Sequence, residues 1–180
     1  MSSFEFIAVL LSIIFGLAIA NLLSGVLEAF LRRELTDTRV AWSILVANIL
    51  LVDWWVFFKW SDHTEWLFHE FLYLVIWATV HYLLAVALFP YKFLSGYSEK
   101  LQQRFVLVAL IVVAILDTGE KAVLGDLLDP WYYPFIILFI VSFALLPLLV
   151  TKGWAMRFSG WILAVGVLLW SVFARSVLEN

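Results

Sequence analysis

The sequence predicts an all-α fold, a polytopic membrane helix bundle with six transmembrane helices. Of its 180 residues, 65% are hydrophobic and only 14% are charged, whereas a soluble domain has about 25% charged residues. A helix needs about 20 mostly apolar residues to cross a hydrocarbon core of about 30 Å. The predicted spans cover residues 4–31, 40–60, 66–89, 104–123, 134–150 and 154–174. The loops are too short for a further domain, so residues 1–180 form a single transmembrane domain.

The first three spans each have simple sequence signals. Residues 4–31 exceed the length of a signal peptide's apolar region and have Glu5 where such a peptide has basic residues, so we expect this span to be retained. Residues 40–60 follow an arginine-containing connection and end at Trp60. Residues 66–89 are closed by Pro90, which cannot continue a helix.

The fourth span has a short apolar run. Residues 105–116 give only about 18 Å of helix at 1.5 Å per residue, which is less than the bilayer requires. The helix should therefore continue to about Val123 and carry Asp117 and Glu120 into the membrane. A helix broken at Thr118-Gly119 is the competing geometry. The fifth span begins at Pro134, which suits the first position of a helix, and the sixth covers residues 154–174.

Ionisable side chains recur at one level of the bundle. Counting residues from the span ends places Asp53 and Asp117 at similar depths. An ionisable group at a helix centre costs about 2.5 to 3.5 kcal/mol on insertion scales, so it normally faces the bundle interior and is paired. The predicted cluster comprises Asp53, His69, Glu70, Asp117 and Glu120, with Lys59, Lys121 or Arg175 as counter-charges. It is interpreted either as the mouth of a proton or cation pathway or as an ion-pair network that holds the helices together.

Two weaker polar patterns accompany this cluster. Asn48, His81 and Glu28 could form an inner relay, although each is also a common interhelical hydrogen-bonding group. A divalent ion at the membrane surface could be held by four side chains of mixed carboxylate and imidazole type. These are Asp62, His63, Glu65 and His69. We otherwise expect no metal site and no cofactor.

Catalytic motifs are lacking in the sequence. The chain has no cysteine, which removes disulfides, thiolate metal sites and cysteine nucleophiles from consideration. It also has neither a Gly-x-Ser-x-Gly motif nor a glycine-rich phosphate loop. No catalytic residue is therefore predicted.

Small residues recur at every fourth position in the first and last spans. The first stripe consists of Gly16, Ala20 and Ser24, and the second of Gly160 and Ala164. Small side chains allow two helices to approach closely in a membrane. We expect these stripes to serve helix packing within the chain, with a subunit interface as the alternative.

Ten tryptophans are typical of aromatic belts at both membrane boundaries, with only Trp77 placed well inside.

Lysine and arginine in short loops set the orientation of a membrane protein. The first, third and fifth connections carry Arg32, Arg33, Arg39, Lys92, Lys100, Arg104, Lys152 and Arg157, and the opposite side has Lys59, Lys121 and Arg175. Both termini are therefore predicted to be non-cytoplasmic. Besides the lipid bilayer, we expect a further copy of the chain as partner. We expect no nucleic acid, because the net charge is −3 and no basic surface of useful size is present.

Four short stretches carry a resemblance. They are residues 4–23, FEFIAVLLSIIFGLAIANLL; the pair Trp54-Trp55; Leu88-Phe89-Pro90; and Leu128-Asp129-Pro130. In these stretches the chain resembles a group of small, uncharacterised multi-pass bacterial membrane proteins. The resemblance implies a bacterial inner-membrane location and brings no functional residues with it.

Three functions are compatible with these features. The favoured one is a small channel or transporter for protons or other ions, with an acidic non-cytoplasmic mouth, working as a homo-oligomer. The second is a membrane interaction or scaffold subunit in which the ion pairs are structural. The third is a membrane-embedded enzyme acting on lipid or quinone, which would need a set of catalytic residues that the sequence does not show.

Overall fold

The computed structural model is a bundle of helices, as the sequence predicts. It describes residues 2–63, 65–90, 98–125, 127–128, 130–150 and 152–174, and all regular structure within them is helical. The helices are α1 (Ser3–Leu31), α2 (Asp37–Val56), α3 (Phe68–Leu88), α4 (Glu99–Val123), α5 (Tyr133–Leu149) and α6 (Gly153–Ala174). A 3-10 helix, Phe57–Asp62, extends α2. The six helices coincide with the six predicted spans, although α4 begins earlier, at Glu99 rather than near residue 104.

Polar side chains fix the starts of several helices. The Ser2 hydroxyl accepts a hydrogen bond from the Glu5 amide at 3.1 Å, and the Glu5 carboxylate accepts one from the Ser2 amide at 2.7 Å. This reciprocal arrangement satisfies amides that have no partner inside the helix. Thr36 and Ser98 cap α2 and α4 through their hydroxyl oxygens. After α4 the chain turns at Gly125, whose φ of 78° suits a residue without a Cβ.

Helix α4 is continuous, whereas the sequence alone is compatible with either a continuous helix or one broken at Thr118-Gly119. It continues through Thr118 and Gly119 to Val123. The Thr118 hydroxyl donates to the Ala114 carbonyl one turn earlier, at 2.8 Å, which is compatible with a continuous helix. The broken-helix alternative is therefore wrong, and α4 carries Asp117, Glu120 and Lys121 on one rigid element.

The helices pack in a ring whose order differs from their order along the chain. Helix α1 packs on α2 and α3, α3 on α4, α4 on α5, α5 on α6, and α6 on α2. Helix α2 also contacts α3 across the ring. The core between them includes Leu11, Leu45, Trp77 and Leu110, all at most 1% exposed. This arrangement brings one face each of α2, α3 and α4 to a common place inside the bundle.

The outer surface and the helix lengths suit a bilayer. Four segments of the described chain are long and apolar enough to cross a membrane, namely Ser3–Leu31, Asp37–Asp62, Phe68–Leu88 and Gly153–Phe173. Helix α5 is apolar but shorter, with 17 residues, and α4 carries charged residues at both ends. Large apolar side chains such as Leu23 and Phe173 are more than half exposed. An apolar surface of this extent is expected where lipid replaces water.

Candidate functional site

His81 of α3 has a fixed orientation inside the bundle. The side chain is fully buried, and its ring packs against Phe15, with centroids 5.5 Å apart, and against Trp77, at 4.8 Å. Its Nδ1 lies 2.8 Å from the Trp77 carbonyl oxygen one helical turn earlier. Because a carbonyl only accepts hydrogen bonds, Nδ1 carries a hydrogen and donates it. The other ring nitrogen, Nε2, is thereby fixed in direction.

Two carboxylates from other helices meet this nitrogen. Asp53 of α2 places Oδ2 at 2.8 Å from His81 Nε2, and Asp117 of α4 places Oδ1 at 3.7 Å. One ligand-type atom from each of the three residues lies within 4.8 Å of the other two. The Asp117 oxygen also accepts a hydrogen bond from Trp77 Nε1 at 2.8 Å. We call Asp53, His81 and Asp117 the Asp–His–Asp triad.

With both aspartates ionised, the triad carries excess negative charge. With Nδ1 protonated, a neutral His81 presents a lone pair at Nε2. An ionised Asp53 at 2.8 Å would also present a lone pair, and two acceptors at that distance repel. A cation must lie between them: a proton on one of the two groups, or a metal ion. With a single proton added, the three groups together still carry one negative charge inside the bundle.

A second polar layer lies next to the triad on α4. Glu120 is 4% exposed and accepts a hydrogen bond from Trp60 Nε1 at 2.9 Å. Lys121 is 2% exposed, and its ammonium lies 5.5 Å from the centre of the Tyr133 ring, within cation–π range. The Tyr73 hydroxyl donates to the Leu116 carbonyl. These contacts fix the end of α4 against α3, α5 and the 3-10 helix.

A cavity joins these two layers. It has a volume of about 50 Å³ and lies between α2, α4, α5 and α6. Its polar wall consists of Asp53, Asp117, Glu120 and Lys121, and its apolar wall includes Ile136, Ile140 and Val167. A water molecule needs about 10–15 Å³ of such space and two to four polar partners. The cavity therefore has room for a few waters against the carboxylates of the triad.

The structure brings together only part of the predicted acidic cluster. Asp53 and Asp117 meet as expected, and Glu120 and Lys121 lie beside them on the cavity wall. His69, in contrast, is exposed. Arg175 lies outside the described residues.

Glu70 also lies apart from the triad. It accepts from the Leu67 amide at 2.9 Å and pairs with His63 at 3.1 Å, at the start of α3. Its carboxylate thus caps the helix. The prediction that both residues join the cluster is therefore corrected. His69 lies about 120° around α3 from His81, whereas Glu70 shares the His81 face but lies about 16 Å away along the helix.

The four residues of the predicted surface metal site do not come together. Asp62, Glu65 and His69 are exposed, and His63 is engaged with Glu70. Within the described residues, the side chains that come close enough to ligate one ion are those of the Asp–His–Asp triad.

The inner relay is likewise not continuous. His81 belongs to the triad, whereas Asn48 accepts a hydrogen bond from the Ser171 hydroxyl at 3.0 Å. Glu28 pairs with Arg32 at 2.7 Å, and its side chain is 49% exposed. Each of the three residues thus has a partner of its own, and Asn48 serves the contact between α2 and α6.

The two small-residue stripes have different environments. On α6, Gly160 and Ala164 are buried, and a Cβ added to Gly160 would lie 2.7 Å from Trp42 Nε1. On α1, Gly16, Ala20 and Ser24 are exposed, and a Cβ on Gly16 would meet nothing within 4 Å. The expectation of packing within the chain is therefore corrected for the α1 stripe, which faces outward.

Two tryptophans of the site were missed by sequence reasoning. Trp60 was placed at the membrane boundary, yet it is fully buried and bonds Glu120. Trp77 was placed inside the membrane without a role, yet it bonds both His81 and Asp117. The spacing of Trp77 and His81, four residues apart on one helix, is a signal that could have linked them.

Comparison of the chain with protein-family models, curated proteins and solved structures finds no match. The geometry of the Asp–His–Asp triad and its cavity therefore carries the functional argument.

Proposed function

We propose that this chain is an integral membrane protein that binds a small cation at the Asp–His–Asp triad and transports it across the bundle. The observation that carries the proposal is the convergence of two carboxyl groups on one buried imidazole. Asp53 and Asp117 converge on a buried imidazole whose Nδ1 is already committed to a backbone carbonyl. Buried charge of one sign is costly unless it is compensated, so the site favours a cation as its occupant.

The position of the triad along the helices supports transport. His81 lies 13 residues after Phe68, which begins α3, and this corresponds to about 20 Å of a helix about 30 Å long. His81 therefore lies about 20 Å from the start of α3 and about 10 Å from its end at Leu88. Ionisable residues at such depth in a membrane typically mark an ion or proton route.

The cavity lies on one side of the triad. A cation in the cavity reaches Asp53 and Asp117, which line it. Behind them the imidazole is enclosed by Phe15 and Trp77. Onward passage requires these side chains to move, which favours a carrier that changes conformation over an open pore.

The route as proposed lies within one protomer. It therefore does not depend on the predicted homo-oligomer. The bacterial inner-membrane location and the non-cytoplasmic termini stay predictions based on the resemblance and on the distribution of lysine and arginine.

A structural role is the second candidate. The observation that favours it is that tryptophan N–H groups already bond two of the buried acids, Trp77 to Asp117 and Trp60 to Glu120. A fully satisfied polar network can hold helices together without any transport. In that case the chain would be an interaction or scaffold subunit.

Flux through liposomes separates the two candidates. Purified protein is reconstituted, and uptake of H⁺, Na⁺, K⁺, Zn²⁺ and Mn²⁺ is followed with ion-sensitive dyes. Asp53→Asn and Asp117→Asn keep the side-chain volume and remove one negative charge each. We expect at least a tenfold loss of flux in both, with folding retained. Glu65→Gln removes a charge from an exposed site outside the triad and should keep wild-type flux.

The structural alternative gives the opposite result. If the wild type carries none of these cations, and both variants lose thermal stability, the transport proposal is refuted in favour of a structural network. Flux that is equal in the wild type and both variants would also refute it, because the pathway would then bypass the triad.

A further inference from the structure

We propose that the occupant of the Asp–His–Asp triad is a divalent first-row transition-metal ion, of the Zn²⁺ or Mn²⁺ type. This inference rests on the proposed function, because it names the chemical class of the cation that the same site would bind. Asp53 and Asp117 would each supply a carboxylate oxygen, and His81 would supply Nε2.

The spacing of the three donor atoms suits a metal ion. Ligand atoms about 2.0–2.2 Å from a tetrahedral zinc ion lie about 3.3–3.6 Å from one another. In the triad, Nε2 lies 2.8 Å from the Asp53 oxygen and 3.7 Å from the Asp117 oxygen. These distances lie on either side of the expected value. The ligand atoms of all three residues lie within 4.8 Å of one another, so binding would require side-chain rotations that draw them onto one ion.

The hydrogen bonds around the triad also suit metal binding. Histidines that ligate a metal almost always donate their other ring N–H to a carbonyl or carboxylate, which fixes the ring orientation. His81 does so to the Trp77 carbonyl. Trp77 also donates its indole N–H to Asp117. One residue thus orients two of the three ligands while Nε2 stays directed at the carboxylates.

A proton shared by Asp53 and His81 gives Asp117, which Trp77 holds beside them, no bond to the imidazole. A proton shared between Asp53 and His81 needs only that pair, which is already 2.8 Å apart. Asp117 Oδ1 lies 3.7 Å from the same nitrogen, too far for a hydrogen bond. Its approach adds a second negative charge next to the first and gains no bond to the ring. A metal ion between the three groups gives that second carboxylate a bonding role.

Charge and donor type narrow the class of ion. Two carboxylates and a neutral imidazole carry a charge of −2, which a divalent cation neutralises completely. Calcium and magnesium prefer all-oxygen sites, whereas imidazole combined with carboxylate suits zinc, manganese and iron. The cavity beside Asp53 and Asp117 has room for a few waters. These waters would complete the coordination of the ion.

The three histidines of the chain provide a matched test. Full-length protein in detergent, stripped with a chelator, is titrated with ZnCl₂ by isothermal calorimetry. We expect one zinc per chain and at least a hundredfold loss of affinity in His81→Gln. His63→Gln and His69→Gln each remove an imidazole outside the triad and should leave the affinity unchanged. CoCl₂, read by visible absorption, should give the same ranking.

If His81→Gln folds poorly, the melting temperature of the wild type provides a second test of zinc binding. Wild-type protein should melt at a higher temperature with ZnCl₂ than without, and MgCl₂ at the same concentration should not raise it. Zinc binding that survives in His81→Gln, that disappears in His63→Gln, or that MgCl₂ matches in strength would overturn the inference.

The outcome also separates this inference from the proposed function. If zinc does not bind but proton flux depends on Asp53, the metal inference fails and transport stands. If zinc binds at the triad and no cation crosses the liposome membrane, the metal site stands and transport fails. If neither is observed, both are refuted.

Discussion

The contact between α2 and α6 gives a sharp prediction for Gly160→Ala. A methyl group at Gly160 would lie 2.7 Å from Nε1 and 2.9 Å from Cδ1 of Trp42, well inside ordinary contact distance. Trp42 is 1% exposed, and its N–H donates to the Met156 carbonyl at 3.1 Å. The indole therefore cannot swing away without losing a buried hydrogen bond.

The size of the effect follows from three contributions. Overpacking a core costs about 1–3 kcal/mol, and losing the indole hydrogen bond costs about 1 kcal/mol. Replacing a helical glycine by alanine stabilises the helix by about 1 kcal/mol. We expect a net loss of about 2 kcal/mol in the free energy of unfolding. At about 2–4 °C per kcal/mol for a chain of this size, the melting temperature in detergent should fall by about 4 to 8 °C.

Gly16→Ala is the matched control, because it makes the same substitution where the added methyl meets nothing within 4 Å. It should keep or slightly raise the melting temperature. If both variants shift the melting temperature equally, the α2–α6 contact is not as described, and the packing argument fails.

Two further predictions concern Trp77 and the α1 stripe. Trp77→Phe keeps a ring against Phe15 but removes the N–H that orients Asp117. Calorimetry should therefore show zinc affinity lowered by about 10- to 100-fold. An unchanged affinity would show that this hydrogen bond does not position Asp117. Ala20→Leu adds bulk to an exposed face and should change the stability of the single chain by less than about 0.5 kcal/mol. A large drop in melting temperature with no change in oligomeric state, read by light scattering, would instead place Ala20 in a contact within the chain.

The helices were predictable because apolar run length is a strong local signal. The six spans and the continuation of the fourth past Thr118 agree with the helices observed. The helix ends were less predictable. The start of α4 at Glu99 depends on the Ser98 cap, a side-chain contact that hydrophobic run length does not detect.

The site was only half predictable. Counting along helices placed Asp53 and Asp117 at one level, but it assigned His81 to a deeper relay. The 3-10 helix Phe57–Asp62 adds only about 3 Å to that count, because it rises about 2.0 Å rather than 1.5 Å per residue. Counts from span ends do not show how far one helix is shifted along its axis against another, and the structure brings His81 Nε2 within 2.8 Å of Asp53. His81 and Asp53 therefore lie at similar depths.

Which way a residue faces around its helix could not be read from the sequence. Small residues four apart share one face of α1, but spacing says nothing about what lies opposite that face. The ring order of the helices leaves Gly16 and Ala20 outside and turns Gly160 toward Trp42. For the same reason His69, a member of the predicted cluster, is exposed and lies away from the triad.

The position of a bound metal ion tests the central claim most directly. Crystals of the full chain soaked in ZnCl₂ would be measured at the zinc absorption edge. We predict an anomalous peak about 2.0–2.2 Å from His81 Nε2 and from one oxygen each of Asp53 and Asp117. A peak at His63 or His69 with none at the triad, or no peak in crystals that diffract well enough to show the His81 ring, would contradict the assignment of the triad as a metal-ion site.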